Sequence, residues 1–180
     1  MGFSPLAYPG TRQTFFVSAL AVAPASGKSM ISLETTTANI VLRLHAIQLY
    51  NVQSGAVVGV NAQFDLTRFT SHSAGTLLTV TSNDTLNSLS GGATARTGAT
   101  LVGEVTTPLR SWFVNLDDIS AGAAQNQGLG SLFGQNWQFL SDATTQPPTI
   151  RQNQGLSIRC ATATAVGTVN VALLFTQDTN

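Results

Sequence analysis

Charged residues are scarce in this chain: they form only 9% of its 180 residues, against roughly a quarter in ordinary soluble domains. Lys28 is the only lysine, and eight basic residues balance eight acidic ones, so the formal net charge is zero. A nucleic-acid-binding protein needs a basic stripe that neutralises phosphates, whereas the arginines here are scattered along the chain. The composition therefore argues against a nucleic-acid partner and favours a surface that packs against protein.

Cysteine is also nearly absent: Cys160 is the only one in the sequence. No intrachain disulfide can therefore form. The stability of the fold must then come from packing and assembly. Synthesis in the cytoplasm is the simplest expectation. No apolar run is long enough to span a bilayer, so no membrane partner is expected. The apolar stretch near the N-terminus resembles a secretory leader, but the pattern favours a strand with Phe15, Val17, Ala19 and Ala21 on one face.

Alternating apolar and polar residues are the main structural signal. Residues 40–51 place apolar side chains at both even-numbered and odd-numbered positions, as in a central strand, and residues 57–70 alternate most regularly. The last two strands are predicted to pair as a hairpin around residues 164–167. Residues 82–98 and 121–130 are predicted as long loops, the first with a short helical turn near its start. Further strands are predicted over residues 75–80, 100–106, 111–116, 132–140, 155–162 and 167–176.

Nine or ten short strands predict an all-β fold, an antiparallel β-sandwich that forms one domain over residues 14–180. A jelly roll is the first choice, because long loops suit strands that cross between two sheets, and an immunoglobulin-like strand order stays open. Residues 1–13 are predicted as an extended N-terminal arm, since Pro5 and Pro9 favour extended backbone. Plain disorder of the arm is the alternative.

Candidate catalytic and metal-binding residues do not converge in the sequence. His45 and His72 lack a second ligand at metal-binding spacing, and Asp117 and Asp118 lack the surrounding oxygens that Ca²⁺ requires. The hydroxyls on either side of His72 do not make a catalytic triad, and Cys160 alternates with inward apolar residues and should be buried. We therefore expect no enzyme activity, no metal and no cofactor.

Aromatic residues are the remaining candidates for function. Trp112 and Trp137 each lie in a strand-like segment beside a phenylalanine, and core or interface packing is the preferred interpretation. A sugar-binding platform is the alternative. Tyr8 is expected to anchor the N-terminal arm, because its ring can be buried while its hydroxyl forms a hydrogen bond. The candidate interface residues are thus Tyr8, Trp112 and Trp137.

Five segments of the chain also show a family likeness. They are residues 42–51 (LRLHAIQLYN), 57–70 (VVGVNAQFDLTRFT), 75–79 (GTLLT), 154–160 (QGLSIRC) and 166–176 (VGTVNVALLFT). In these segments, 47 of the 180 residues, the sequence resembles the virion structural proteins of tailed bacteriophages, and in particular capsid decoration, or cement, proteins of jelly-roll type.

That resemblance implies a non-enzymatic protein of the virion, made in the host cytoplasm, that binds the outside of a phage head and stabilises the shell. Its partners would be the major capsid protein and other copies of itself, as a homotrimer at the threefold positions. The alternative is a neck, fibre or receptor-binding component of the virion, with carbohydrate as the ligand.

Overall fold

The computed structural model describes residues 13–52, 61–84, 88–89, 91–116, 135–139, 146–162 and 167–179. Within these residues the regular structure consists of β-strands. The fourteen strands are β1 (Gln13–Val22), β2 (Ser29–Thr35), β3 (Ile40–Asn51), β4 (Asn61–Phe69), β5 (Ser71–Ser73), β6 (Thr76–Leu77), β7 (Val80–Ser82), β8 (Ala93–Thr97), β9 (Thr100–Val102), β10 (Arg110–Asn115), β11 (Gln135–Gln138), β12 (Thr149–Ile150), β13 (Gln154–Cys160) and β14 (Val169–Thr179).

Two antiparallel sheets face each other, which confirms the predicted all-β sandwich. The first sheet has the order β11, β3, β14, β1, β7, and β12 continues along the same edge of β3 as β11. The second sheet has the order β10, β4, β13, β2, β8, β6. A separate ribbon of β5 and β9 lies against the outer side of the second sheet, where His72 of β5 contacts Glu34 of β2.

The main strands pair in a nested order. The first strand pairs with the last, β1 with β14; β2 then pairs with β13, β3 with β12 and β11, and β4 with β10. The predicted hairpin of the last two strands is therefore wrong, because β13 belongs to the second sheet and β14 to the first. Because they lie in different sheets, β13 and β14 each have a hydrogen-bonded neighbour strand on both sides. A hairpin at a sheet edge would leave one side of its outer strand unpaired.

The core is formed by the inward faces of both sheets. Phe15 and Phe175 stack on adjacent strands of the first sheet with their ring centroids 5.7 Å apart. Cys160 is fully buried, as predicted. The largest fully buried side chains are Phe15, Met30, Ile31, Leu33, Leu42, Leu44, Ile47, Leu49, Phe64, Leu66, Leu116 and Phe175.

A β-bulge interrupts the alternation that the sequence predicts for β3. Leu44 is paired with Phe175 and Ala46 with Leu174, so His45 is an extra residue without a partner in the register. Because a bulge inserts one residue, the core-facing positions change there from even-numbered to odd-numbered. In β1 a similar irregularity leaves Ala21 exposed, in place of the inward position that alternation predicts.

Several other boundaries differ from the predictions. The predicted strand over residues 75–80 is divided between β6 in the second sheet and β7 in the first. Residues 82–98, predicted as a loop, contain β8, whose inward side chains are the small Ala93 and Ala95 and therefore carry a weak hydrophobic signal. β2 was also missed. Gln13, assigned to the arm, is the first residue of β1. Residues 1–12, 85–87 and 121–130 lie outside the described part of the chain.

Candidate functional site

The two tryptophans meet at one edge of the sandwich. Trp112 lies on β10, the edge strand of the second sheet, opposite Phe64, and Trp137 lies on β11, the edge strand of the first sheet, opposite Ile47. Their ring centroids are 4.2 Å apart, and both half-buried indoles pack against the core. The pair thus joins the sheets where the sandwich would otherwise open. Tyr8, the third candidate, lies outside the described residues.

A pocket of about 430 Å³ lies beside this pair, and we call it the edge pocket. Arg110 of β10 is paired with Leu66 of β4, and Arg68 lies two residues further along β4, on the same side of the sheet. Such diagonal neighbours have their Cα atoms about 7–8 Å apart. The edge pocket is lined by Arg68, Leu109, Arg110, Phe139, Gln146, Pro147, Pro148 and Thr149.

The two arginines of the edge pocket differ in their partners from Arg43 and Arg159. Arg43 pairs with Asp178 at 2.6 Å, and Arg159 has a guanidinium nitrogen 3.4 Å from a carboxylate oxygen of Glu104. Arg68 donates from Nη1 to the carbonyl oxygen of Thr149 at 3.0 Å. Among the residues that the structure describes, neither Arg68 nor Arg110 has a carboxylate partner. Within the described part of the chain, the edge pocket therefore combines two positive charges that have no carboxylate partner with apolar lining residues.

The outer face of the first sheet has the opposite character. In the strands of that sheet, as far as they are described, the charged residues are Arg43 and Asp178, and they pair with each other. We call the remainder of this outer surface the neutral face; Leu20 is 69% exposed on it and Tyr50 36%. Its residues include Phe16, Ser18, Leu20, Ala46, Gln48, Tyr50, Asn170, Ala172 and Leu174.

The second sheet carries most of the charge found in the strands. Its strands contain Glu34, Asp65, Arg68, Arg96, Arg110 and Arg159. Its outer side is partly covered, since Glu104 accepts a hydrogen bond from Thr67 and pairs with Arg159. The two outer faces therefore differ: the first is neutral, with Leu20 and Tyr50 exposed and Ala46 and Ala172 buried, and the second is charged and partly overlaid by chain. The neutral face is the one that a protein partner can cover without removing charges from water.

A buried polar cluster surrounds His72. The imidazole is hydrogen-bonded through Nδ1 to Ser32 Oγ at 2.7 Å and through Nε2 to Thr94 Oγ1 at 2.9 Å, while the backbone N–H of His72 donates to Glu34 Oε2 at 2.8 Å. Burial, and secondarily the nearby Arg96, lowers the pKa of His72 to about 4. Burial raises the pKa of Glu34.

This cluster brings together a serine, a histidine and a carboxylate, but it has no access for a substrate. Ser32 is fully buried, and His72 is 9% exposed and stacked on Phe69. The hydroxyls beside His72 in the sequence belong to Ser71 and Ser73, which are exposed. The cluster therefore fastens the β5–β9 ribbon to the second sheet. Sequence reasoning missed it because Ser32 lies 40 residues from His72.

The other chemical candidates lie apart. His45 is hydrogen-bonded through Nε2 to Thr176 Oγ1 at 2.9 Å. Burial raises the pKa of the Cys160 thiol, which disfavours the reactive thiolate. Asp117 and Asp118 lie outside the described residues. Across the described ranges, no group of three or more histidine, cysteine and acidic side chains has the geometry to hold a metal ion.

Comparison with protein-family models, with curated proteins and with solved structures found no match to this chain. In the part of the chain that the structure describes, no helix has the length and apolar character needed to cross a membrane. Three features of the described residues bear on function: the neutral face, the tryptophan pair and the edge pocket.

Proposed function

We propose that this chain is a virion structural protein of a tailed bacteriophage, a decoration or cement protein that binds the outside of the head. Two observations support the proposal besides the resemblance of its strands to such proteins. The nested strand pairing is the order expected when a chain winds into a jelly roll. The charges of the described strands are concentrated in one sheet, which leaves the other free to contact protein.

The neutral face is the observation that carries the proposal. Partner binding strips water from a surface, and neutral side chains lose little in that step, whereas an unpaired charge loses several kcal/mol. Five strands spaced about 4.8 Å apart, with roughly seven residues of about 3.3 Å along each, give a planar area of about 550 Å². A stable interface buries about 800 Å² per partner, so we expect a second contact region besides this face.

The stabilising mechanism is mass action. A subunit that binds only the assembled shell lowers the free energy of that state relative to open or leaky ones. A homotrimer that contacts several copies of the major capsid protein at once adds avidity, since the later contacts form at high effective concentration. This mechanism requires neither catalysis nor a cofactor.

The N-terminal arm is proposed as the second contact region, with Tyr8 as its anchor. Deleting residues 1–12 removes the arm and keeps β1 intact, because β1 begins at Gln13. The truncated protein should keep its β-sheet circular dichroism and bind undecorated heads more weakly. Unchanged affinity for heads would contradict the role of the arm and would leave the other surfaces to supply the area.

A charge placed on the neutral face tests the proposal directly. Ser18→Lys puts an ammonium group on β1 of that face, next to the central strand β14, and Ser111→Lys, on edge strand β10 of the second sheet, is the matched control. Ser18→Lys should weaken both the trimer and binding to undecorated heads at least ten-fold, because an unpaired charge is desolvated. Ser111→Lys should change neither property. Equal behaviour of the two variants in sedimentation and co-sedimentation would contradict the role of the neutral face.

A second candidate function, a neck or fibre component that binds carbohydrate, is favoured by the tryptophan pair. Half-buried aromatic rings beside a pocket are a common setting for sugar recognition. Binding of a neutral oligosaccharide that is abolished in Trp137→Ala would support this alternative. Its absence, together with head binding, would support decoration.

A further inference from the structure

Two arginine side chains line the edge pocket, and no carboxylate of the described residues pairs with either of them. Arg68 and Arg110 are diagonal neighbours on adjacent strands, and their side chains line the same pocket. Among the residues that the structure describes, the side chain of Arg68 makes one hydrogen bond, to the backbone oxygen of Thr149, and the side chain of Arg110 makes no hydrogen bond or ion pair. Several N–H donors of this pair are therefore free to bind a ligand.

An anion in this pocket would remove an unfavourable interaction and add a favourable one. Two like charges that line one pocket repel each other, and a carboxylate between them attracts both. A carboxylate also accepts paired hydrogen bonds from a guanidinium fork, a stronger contact than neutral hydrogen bonds provide. The two guanidinium groups therefore favour a ligand that carries a carboxylate group.

The uncharged residues that line the edge pocket limit the chemical class of ligand that it can bind. Phe139 and Leu109 form apolar parts of the lining, together with Pro147 and Pro148. Among the described lining residues, Gln146 and Thr149 have the only uncharged polar side chains. They offer few hydrogen-bond partners for the many hydroxyls of a sugar. An acidic side chain with an apolar neighbour matches both the guanidinium pair and the apolar walls.

We propose that the edge pocket binds an acidic peptide segment of a partner protein, with an Asp or Glu carboxylate between Arg68 and Arg110 and an adjacent apolar side chain against Phe139. The choice of a protein as the source of the carboxylate rests on the proposed function. The charge complementarity of the pocket stands independently of the capsid.

A peptide titration tests this proposal. The probe is acetyl-Leu-Glu-Leu-amide, its control is acetyl-Leu-Gln-Leu-amide, and binding to the full chain is followed by NMR through the arginine side-chain signals. The Glu peptide should bind saturably and at least ten-fold more tightly than the Gln peptide, since a hydrogen bond to a charged group contributes about that much. Weak affinity, on the order of millimolar, is expected for so small a ligand.

Variants of the protein then locate the site. Arg110→Gln should weaken binding of the Glu peptide at least ten-fold and leave the melting temperature unchanged, because Arg110 is exposed. Arg151→Gln, which removes an exposed arginine that does not line the pocket, is the matched control and should bind as the wild type does. A loss of affinity equal in both variants would overturn the assignment, because it would show a general effect of positive charge.

Three further results would overturn the proposal. They are equal binding of the Glu and Gln peptides, tighter binding of glucuronate than of the Glu peptide, and binding of inorganic phosphate as tight as that of the peptide. Glucuronate would identify an acidic sugar site, and phosphate a general anion site. If the peptide binds as expected but the protein does not bind phage heads, the pocket assignment holds and the proposed function fails.

Discussion

Replacement of His72 by glutamine should remove an acid sensitivity built into the contact between the β5–β9 ribbon and the second sheet. The neutral imidazole is held among Ser32, Glu34 and Thr94, with Arg96 nearby, and its pKa is lowered from 6.5 to about 4. A lowered pKa means that the folded protein resists protonation that the unfolded chain accepts. The stability from this site is therefore complete above pH 6.5 and is lost as the pH falls toward 4.

The size of this effect follows from the two pKa values. Between pH 7 and pH 5 the unfolded chain gains about 0.7 proton at His72, while the folded protein gains about 0.1. At 1.36 kcal/mol per pKa unit, the free energy of unfolding falls by about 2 kcal/mol over this range. Glu34 acts in the opposite direction, because its raised pKa gives stability that is lost as the pH rises. Only the difference between wild type and variant isolates His72.

Urea unfolding followed by tryptophan fluorescence at pH 7 and pH 5 measures this difference. The wild type should lose about 2 kcal/mol more than His72→Gln between the two pH values. His45→Gln, which removes a histidine from the other sheet and retains His72, should keep the wild-type loss. If His72→Gln loses as much stability on acidification as the wild type, the burial argument is refuted.

Two further predictions concern packing. Gly155→Ala places a methyl group within 2.6 Å of three ring atoms of Phe69, so it should destabilise the fold by about 1–3 kcal/mol. The control Gly91→Ala, whose new methyl meets nothing within 4 Å, should melt as the wild type does, and equal melting of both variants would contradict the predicted contact. Trp137→Ala should cost about 2 kcal/mol, less than for a fully buried tryptophan, and should shift the emission of Trp112 to longer wavelength. Unchanged Trp112 emission would argue against the indole pair.

The sequence predicted the fold class because alternation is a local property of each strand. The long strands contain enough inward apolar side chains for the alternation to be seen in the sequence of each strand by itself. These strands are β1, β3, β4, β13 and β14. Short strands were harder. β8 presents only alanines to the core, and β2 contains polar residues that become buried under the β5–β9 ribbon.

Features that depend on pairing could not be predicted from alternation. The bulge at His45 reverses the inward side of β3 and is visible only in its register with β14. The prediction of a closing hairpin was wrong because two strands that are close in sequence can belong to different sheets. Trp112 and Trp137 were both identified, but their contact, and the approach of Arg68 to Arg110, required the nested strand order.

Locating and counting this chain in intact particles tests whether it decorates the outside of a phage head. Cryo-electron microscopy of virions combined with quantitative mass spectrometry gives both quantities at once. We expect density on the outer surface of the head at the threefold positions, in a copy number comparable to that of the major capsid protein. Absence of the chain from the head, or a few copies confined to the neck or fibres, would contradict the account.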